Sequence, residues 1–451
     1  MKICVINNLP QHYQRGGAAV LAEKMAEGFK KAGHEVVIIS TTSKFKILNF
    51  KFKIIEGIKN YRIFSFYYNL SKLPYFVRLI WHIADMFDVG GFLKVREILK
   101  KEKPDLAITH NLKGISYLVP IAIRSLKIKH IHTLHDIQLI HPSGLMMWGE
   151  EKKINSVFAK IYTAICRWLF GSPDVVISPS KWLLKMHEDR GFFRESKKEV
   201  MPNPIFSRHS REEPVLNLVG DENPQIDIKS FWIPNQVGND RIKFLYVGQI
   251  EKHKGIFLLI EAFKKLFPSG SLNYEWGTYE LMIVGGGSAM EEAKKIAATN
   301  APLIKGACPE LVEGVGGIVW PGGFIKFLGW IPEKEMEWMS EADCLVVPSL
   351  CYENSPTVIY KALSIGLPVI GANLGGIPEL LGETPLSPPF ERGVRGVLFK
   401  PGDADDLAEK MRWAAENRGE IKARSKIIKE NLGNFKLENY IELIYFLYSK
   451  T

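Results

Sequence analysis

Cysteine is scarce in this sequence. Five occur in 451 residues (Cys4, Cys166, Cys308, Cys344 and Cys351), and no two form a Cys-x-x-Cys pair. That spacing excludes a disulfide framework and a thiolate zinc site, and it points to a reducing compartment. Long apolar runs are missing as well: none approaches the ~18 residues that a membrane-crossing helix needs. The opening MKICVINNLP reads as a first strand rather than a secretory leader. Acid is short in one half only. Met1 to Asn203 holds 32 Lys and Arg against 17 Asp and Glu, a net charge of +15, while the remainder carries 27 against 32, a net −5. No recognisable nucleic-acid module accompanies the basic half, so the partners expected of it are an anionic membrane surface or an anionic acceptor. Lys44–Trp81, where Lys and Arg alternate with Phe, Tyr and Trp, has the composition of an interfacial surface; the alternative is a solvated basic loop and helix over the first domain.

What is present is alternation. Short apolar strands at Ile3–Ile6, His34–Ser40, Asp105–Thr109, His130–Leu134 and Asp174–Ser178 are separated by helical periods at Ala18–Ala32, Leu93–Lys101, Gly114–Ser125 and Asn155–Phe170. Ser180 has the position of a helix cap. A second series starts at Lys243, with strands at Tyr279–Val284, Phe324–Leu328 and Cys344–Val347. Strand–helix alternation implies parallel sheets built by right-handed crossovers, here twice over. The class is α/β. The expected domains are residues 1–203, with a C-terminal helix at 435–451 packing back on it, and 204–434. Ligands in such sheets bind at the carboxyl ends of strands, where His110, His135, Lys254 and Glu353 lie.

The most informative stretch is Val346–Leu381. Its strand is stopped by Pro348, a polar loop carries Glu353, and Ser355-Pro356 suits a helix start. Gly366 ends that helix and Pro368-Val369-Ile370 restarts an extended segment. A helix N-terminus just after a strand offers free amides and a positive dipole end to an anion. Glu353 beside it would accept hydroxyl hydrogens, and phosphate plus hydroxyls describes a sugar nucleotide. Lys254 stands at a similar strand–loop–helix junction beside Gly255, where a cation and amides can share a diphosphate. Gly285-Gly286-Gly287 reads as a tight turn, and the acids at Asp403, Asp405 and Asp406 as a helix cap rather than a metal cluster.

Three segments fit the alternation badly: 220–241, 305–323 and 384–395, each rich in Gly, Pro and polar residues. They resemble peptides encoded by in-frame palindromic repeats and are expected to be tolerated loop insertions, since added loop length costs little closure entropy.

These motifs together resemble the family 4 glycosyltransferases. They are Gly16-Gly17, HTLHD ending in His135-Asp136, VGQIEKHKG at Val247–Gly255, FLGWIP at Phe327–Pro332, YENSPTVIYKALSIGLPVI from Tyr352, and GGIPE at Gly375–Glu379. The resemblance implies the GT-B architecture, two facing Rossmann-like domains with parallel sheets. It also implies retaining transfer of a sugar from a nucleoside diphosphate sugar to an acceptor hydroxyl in cell-envelope polysaccharide or glycolipid synthesis. No cofactor or obligatory metal is implied. The expected place is cytoplasmic, peripheral on the inner face of the cell membrane, and the acceptor a glycan or lipid-linked sugar.

By the same resemblance His135 and Glu353 orient the transferred sugar. Gly16, Gly17, Gln249, Lys254, Trp330, Asn354, Ser355, Thr357, Val358 and Lys361 bind the donor. Gln249 stands where many members have arginine. Lys361 stands where the family has its second glutamate, which holds the ribose hydroxyls. Losing that contact should cost about 1.5–3 kcal/mol of donor binding. A lysine there either donates to the donor or pairs with a nearby carboxylate. The rival reading is a non-catalytic or impaired sugar-nucleotide-binding protein of the same fold; a two-domain epimerase fits the motif set less well.

Overall fold

The computed structural model describes residues 1–8, 17–43, 52–55, 57–72, 74–205, 241–267, 279–299, 317–320, 323–331, 334–382, 396–420, 423 and 436–450. The chain divides into two compact units. One comprises Met1–Pro204, Cys351–Thr357 and Gly433–Thr451, the other Ile205–Leu350 and Val358–Leu432.

The first unit is built on an eight-stranded sheet in the order β3-β4-β2-β1-β5-β6-β7-β8. Its strands are β1 (Lys2–Ile6), β2 (Glu35–Thr42), β3 (Lys53–Ile55), β4 (Ile58–Phe64), β5 (Leu106–Thr109), β6 (Lys129–Thr133), β7 (Val175–Ser178) and β8 (Lys197–Val200). All neighbours are parallel except the β3–β4 edge hairpin. β1, β5 and β7 are almost continuously apolar and buried, as strands covered by helices on both faces must be. The helices are α1 (Gly17–Lys31), α2 (Tyr75–Met86), α3 (Val89–Glu102), α4 (Val119–Ser125), α5 (Val157–Phe170) and α6 (Lys181–Glu188). α1 turns Leu21, Ala22, Met25, Ala26 and Phe29 inward. The C-terminal helix Leu437–Ser449 lies against it, with Ile441 so close to Gly28 that a Cβ there would sit 2.0 Å from the isoleucine methyl.

The hairpin adds strands that the sequence reading of Lys44–Trp81 did not foresee. In Lys44–Trp81 the alternation of cations with aromatics is partly a strand, with Ile58, Tyr61 and Ile63 of β4 turned into the core. Lys59 shares the row of Tyr61 and Ile63, and its ammonium reaches the same Glu102 carboxylate as the Tyr61 hydroxyl. Residues 44–51, 56 and 73 of that stretch lie outside the described residues. The helix expected from Gly114 begins instead at Val119, because Gly114 adopts φ +90° and its amide is held by both oxygens of Asp85, at 3.0 and 2.9 Å. Strands β3, β4 and β8 were not legible as strands.

The second unit is a seven-stranded sheet in the order β11-β12-β10-β9-β13-β14-β15. These are β9 (Ile242–Val247), β10 (Tyr279–Val284), β11 (Gly317–Trp320), β12 (Gly323–Gly329), β13 (Cys344–Val347), β14 (Val369–Ala372) and β15 (Gly396–Phe399). Its helices are α7 (Ile256–Lys264), α8 (Met290–Ala298), α9 (Glu335–Glu341), α10 (Thr357–Ser364), α11 (Ile377–Leu381) and α12 (Ala404–Glu416). β11 pairs antiparallel with β12, so Gly317–Trp320, within the expected 305–323 insertion, is an edge strand. The rest of the three proposed insertions, but for Arg241 and Gly323, lies outside the described residues. β15 was likewise unforeseen. Asp403 caps α12, accepting from the amides of Asp405 and Asp406.

In each sheet strand order reverses beside the first strand, between β1 and β5 and between β9 and β13. That reversal opens a crevice at the carboxyl ends.

Far from those ends, Glu102 ties the first sheet together. Its carboxylate, 4% exposed, receives Lys2 at 2.6 Å and Lys59 at 3.1 Å, and the Tyr61 hydroxyl donates to it at 2.6 Å. Burial alone would raise this carboxyl, but the bonds from Lys2, Tyr61 and Lys59 outweigh it and hold it down to about 2. A depressed folded value means stability present above the ordinary carboxyl range and lost as pH falls towards 2. Glu102→Gln should lower unfolding free energy by about 2–3 kcal/mol at neutral pH and flatten the acid limb of stability against pH. Urea unfolding across that limb measures both.

Candidate functional site

At the carboxyl ends of β5 and β6 two imidazoles meet. His110 is fixed by its amide bond to the Ile6 carbonyl at 2.9 Å, and its Nδ1 lies 2.8 Å from Nε2 of His135. Deeper in the sheet the Thr109 hydroxyl joins His130 and His132, at 2.7 and 2.8 Å. Burial holds His110 well below the usual imidazole range and lowers His135 to about 4. Both rings are therefore neutral at pH 7 and share one proton across the contact. His110 Nε2 is buried with no partner among the described residues. If that atom carried the proton, a donor would be stranded in the interior, the costlier state. The favoured arrangement has His110 donating from Nδ1 to His135 Nε2, which leaves an N–H on Nδ1 of the half-buried His135.

The adjoining Asp136 does a different job. Its Oδ1 accepts from the Gln138 amide at 2.7 Å, an Asx turn that shapes the loop after β6. Burial pushes this carboxyl up to about 6, against the Gln138 bond and the charge of Lys113. Asp85 is pushed up to about 7, again by burial, against its Gly114 amide bonds. Lys113, buried, is lowered by desolvation and donates to the Pro142 carbonyl at 2.8 Å. Asp85 and Lys113 had no signal in the sequence beyond the proximity of Lys113 to a strand end.

The segment Cys351–Thr357 belongs to this same unit. Cys351 bridges Met147, the Tyr352 amide donates to Met146 at 2.9 Å, and the Tyr352 ring stacks on Trp182 at 5.5 Å. Asn354, almost fully buried, accepts from the Ser180 hydroxyl at 2.5 Å and donates to the His135 carbonyl at 3.1 Å. Asn354 therefore fastens the loop to the residue after β6, a structural task that the sequence did not suggest. Glu353, next in chain, is half-buried, with the Cys351 thiol 3.8 Å from its Oε1. Gly17 opens α1, and a Cβ on it would lie 2.6 Å from the Thr357 methyl. Gly16 lies outside the described residues. Ser355 is half-buried and Thr357 exposed. The helix starts at Thr357, one residue after Pro356.

In the second unit Lys254 ends a single 3-10 turn, Lys252–Lys254. Gly255 follows at φ +76°, and a Cβ there would lie 1.8 Å from the Pro348 carbonyl oxygen. Only glycine fits both the conformation and the contact. The His253 carbonyl accepts from the Leu350 amide at 3.0 Å, so the loops after β9 and β13 are locked together at the crevice. Gln249 is exposed beside them, its carbonyl accepting from the Tyr246 hydroxyl at 2.6 Å. Gly285 presses equally hard on Gly248, which makes the Gly285–Gly287 turn a packing device. Trp330 follows Gly329, at φ +66°, and is half-buried, as is Val358. Lys361 is already engaged. Its Nζ bonds both oxygens of Glu335 at 2.8 Å, with the glutamate 3% and the lysine 39% exposed. Among the described residues no group of three or more His, Cys, Asp or Glu is placed to hold a metal ion.

Comparison with known proteins bears on both units. Residues 15–206 match the family model described as Glycosyltransferase Family 4, and residues 241–417 the model described as Glycosyl transferases group 1. An uncharacterized 42.6 kDa protein in the cps region of Klebsiella pneumoniae is 25% identical over 84% of this chain and 87% of its own length. The putative teichuronic acid biosynthesis glycosyltransferase TuaC of Bacillus subtilis is 22% identical over 91% of this chain and 88% of its own. Among solved structures, Anabaena Alr3699/HepE in complex with UDP matches at TM-score 0.66 and 18% identity over 100% of both chains, a likeness of fold. Two parallel-sheet Rossmann-like units of this kind are the GT-B fold, and the two family models make the chain a glycosyltransferase. The chain belongs to the family 4 glycosyltransferases.

Two measurements check this geometry. In ¹⁵N-histidine spectra at neutral pH, His135 should show a protonated Nδ1 and a bare Nε2. His110→Asn, which keeps a donor, should preserve that pattern, and His110→Leu should release it. Separately, Lys361→Met should cost about 1–3 kcal/mol in urea unfolding, discounted for the half-exposed lysine. Lys361→Glu should cost more by placing two carboxylates together, and Glu335→Gln in that background should recover most of the difference.

Proposed function

We propose that this glycosyltransferase moves a sugar, with retention, from a nucleoside diphosphate sugar to an acceptor hydroxyl in the assembly of a cell-envelope polysaccharide or glycolipid. The observation that carries the reading is Lys254 at the head of α7, held by a glycine that nothing else could replace. A lysine carried on so fixed a turn would answer the charge that grows on a departing diphosphate. Gln249 and the first amides of α10, at Thr357 and Val358, are the companion donors. Glu353 would accept from sugar hydroxyls, and His135, through its free-edge N–H, would donate to one. Trp330 lies at the base end. In the transfer the bond from the anomeric carbon to the diphosphate oxygen breaks while a bond to the acceptor oxygen forms on the same face. The acceptor proton goes to the leaving phosphate. Relatives lend support: HepE was solved with UDP and with UDP-glucose, and TuaC is named for teichuronic acid biosynthesis.

The Lys361–Glu335 pair favours a second reading, an impaired binder, because the lysine is spent on a carboxylate rather than the donor. A thermal-shift screen of nucleoside diphosphate sugars, followed by transfer and hydrolysis assays, separates the two. On the first reading at least one donor raises Tm and is turned over, and Lys254→Ala weakens its binding at least about tenfold. Stabilisation without turnover supports the binder, and a chain that no sugar nucleotide stabilises defeats both.

A further inference from the structure

α5 is apolar on two faces. Ser156 caps its start, accepting from the Ala159 amide, and Gly171, at φ +60°, ends it. Ala159, Tyr162, Thr163, Cys166, Leu169 and Phe170 point into the core of the first unit. On the opposite side Val157, Ile161, Ala164 and Trp168 recur at spacings of four, three and four, one stripe along a helix. Val157 is 75% exposed, Ile161 56% and Trp168 68%. An exposed apolar stripe opposite a helix's buried face marks a contact surface.

Charge selects the contact. α5 contains no acid, and its two ionisable cations, Lys160 and Arg167, are both exposed. Arg167 leads into an open cavity of about 540 Å³ lined also by Arg190, Arg194, Lys198, Glu188 and Asp189. Both acids are taken: Glu188 pairs with Lys198 at 3.1 Å and Asp189 with Lys185 at 2.8 Å. Arg190 donates instead to the Met186 carbonyl and to Asn155, and Arg167 to the Arg190 carbonyl, so neither meets a carboxylate within 4 Å among the described residues. Gly191, at φ +75°, lets the guanidiniums of Arg167 and Arg194 crowd its Cα, at 3.0 and 3.3 Å from where a Cβ would be. Three guanidiniums around a cavity beside an apolar stripe suit a phosphate at the level where acyl chains begin. A second copy of this chain fits poorly, since the +15 half would meet itself.

We infer that α5 docks on an anionic membrane, with Val157, Ile161 and Trp168 at the acyl boundary and a lipid phosphate in the arginine-lined cavity. Its test does not depend on sugar transfer. The full chain is floated with vesicles of phosphatidylcholine alone and of equal parts phosphatidylcholine and phosphatidylglycerol. The wild type should bind the anionic vesicles at low salt and lose them as salt screens the contact. Each cation near such a surface is worth about fivefold in partitioning, so Lys160→Gln with Arg167→Gln should weaken binding about 30-fold. Ile161→Ser with Trp168→Ser should weaken it at least about tenfold. The charge pair needs no apolar change, so it keeps the test open if the other variant does not fold. A wild type that stays unbound at low salt overturns the inference. So does wild-type-like binding by both variants, which would move the contact elsewhere. Self-association that the Ile161/Trp168 variant abolishes, without vesicle binding, would make the stripe an interface between copies.

Discussion

Parallel strands can be joined only by crossovers, and that constraint governs this molecule. Every crossover returns the chain to the end of the sheet where the previous parallel strand began, so the carboxyl ends of the parallel strands collect on one side. The edge strands β3 and β11 run the other way, and in both sheets the order reverses beside the first strand. In both units the reversal opens a crevice that helices do not cover. β1 and β5 flank one, β9 and β13 the other. His110 and Lys254 are where they are because the crossover rule leaves strand-end loops as the places where polar side chains can stand without breaking a ladder.

Close backbone contact turns those loops into fixed geometry. Gly255 against Pro348 and Gly285 against Gly248 leave no room for a Cβ, so the turn carrying Lys254 cannot relax without unpacking its neighbour. In the first unit fastening is done by polar groups: Asn354 between Ser180 and the His135 carbonyl, and Asp136 folded onto the Gln138 amide. A buried amide with both ends satisfied defines position more sharply than apolar packing does, since displacement strands a donor and an acceptor at once. The Lys361–Glu335 pair is the same device in the second unit. It explains how a lysine sits in a family-4 motif at a position that resembles a glutamate site without leaving an unanswered charge.

Strand ends, glycine turns and the family motifs were legible in the sequence because they are local. A run such as CLVV followed by proline, or a lysine before a glycine at a helix start, carries its meaning within a few residues. The β3–β4 hairpin was not legible, because the lysines and aromatics of Lys44–Trp81 satisfy a strand with one buried row as well as they satisfy an interfacial surface. Tyr61 reaching Glu102, 41 residues away, is what reveals the strand. β11 was obscured by the glycine-rich composition around it, and it is β12 that makes Gly317–Trp320 a strand.

The sequence by itself determined the α/β class, the family, and the residue types at the strand ends, since each rests on short-range patterns of hydrophobicity and turn chemistry. Tertiary structure decided how those residues are used. It joined His110 to His135 and thereby chose which nitrogen carries the proton, gave Lys361 to Glu335, and made Asn354 a fastener. It also turned one face of α5 outward. Partners drawn from distant parts of the chain settle charge, protonation and exposure, and no window of sequence contains them.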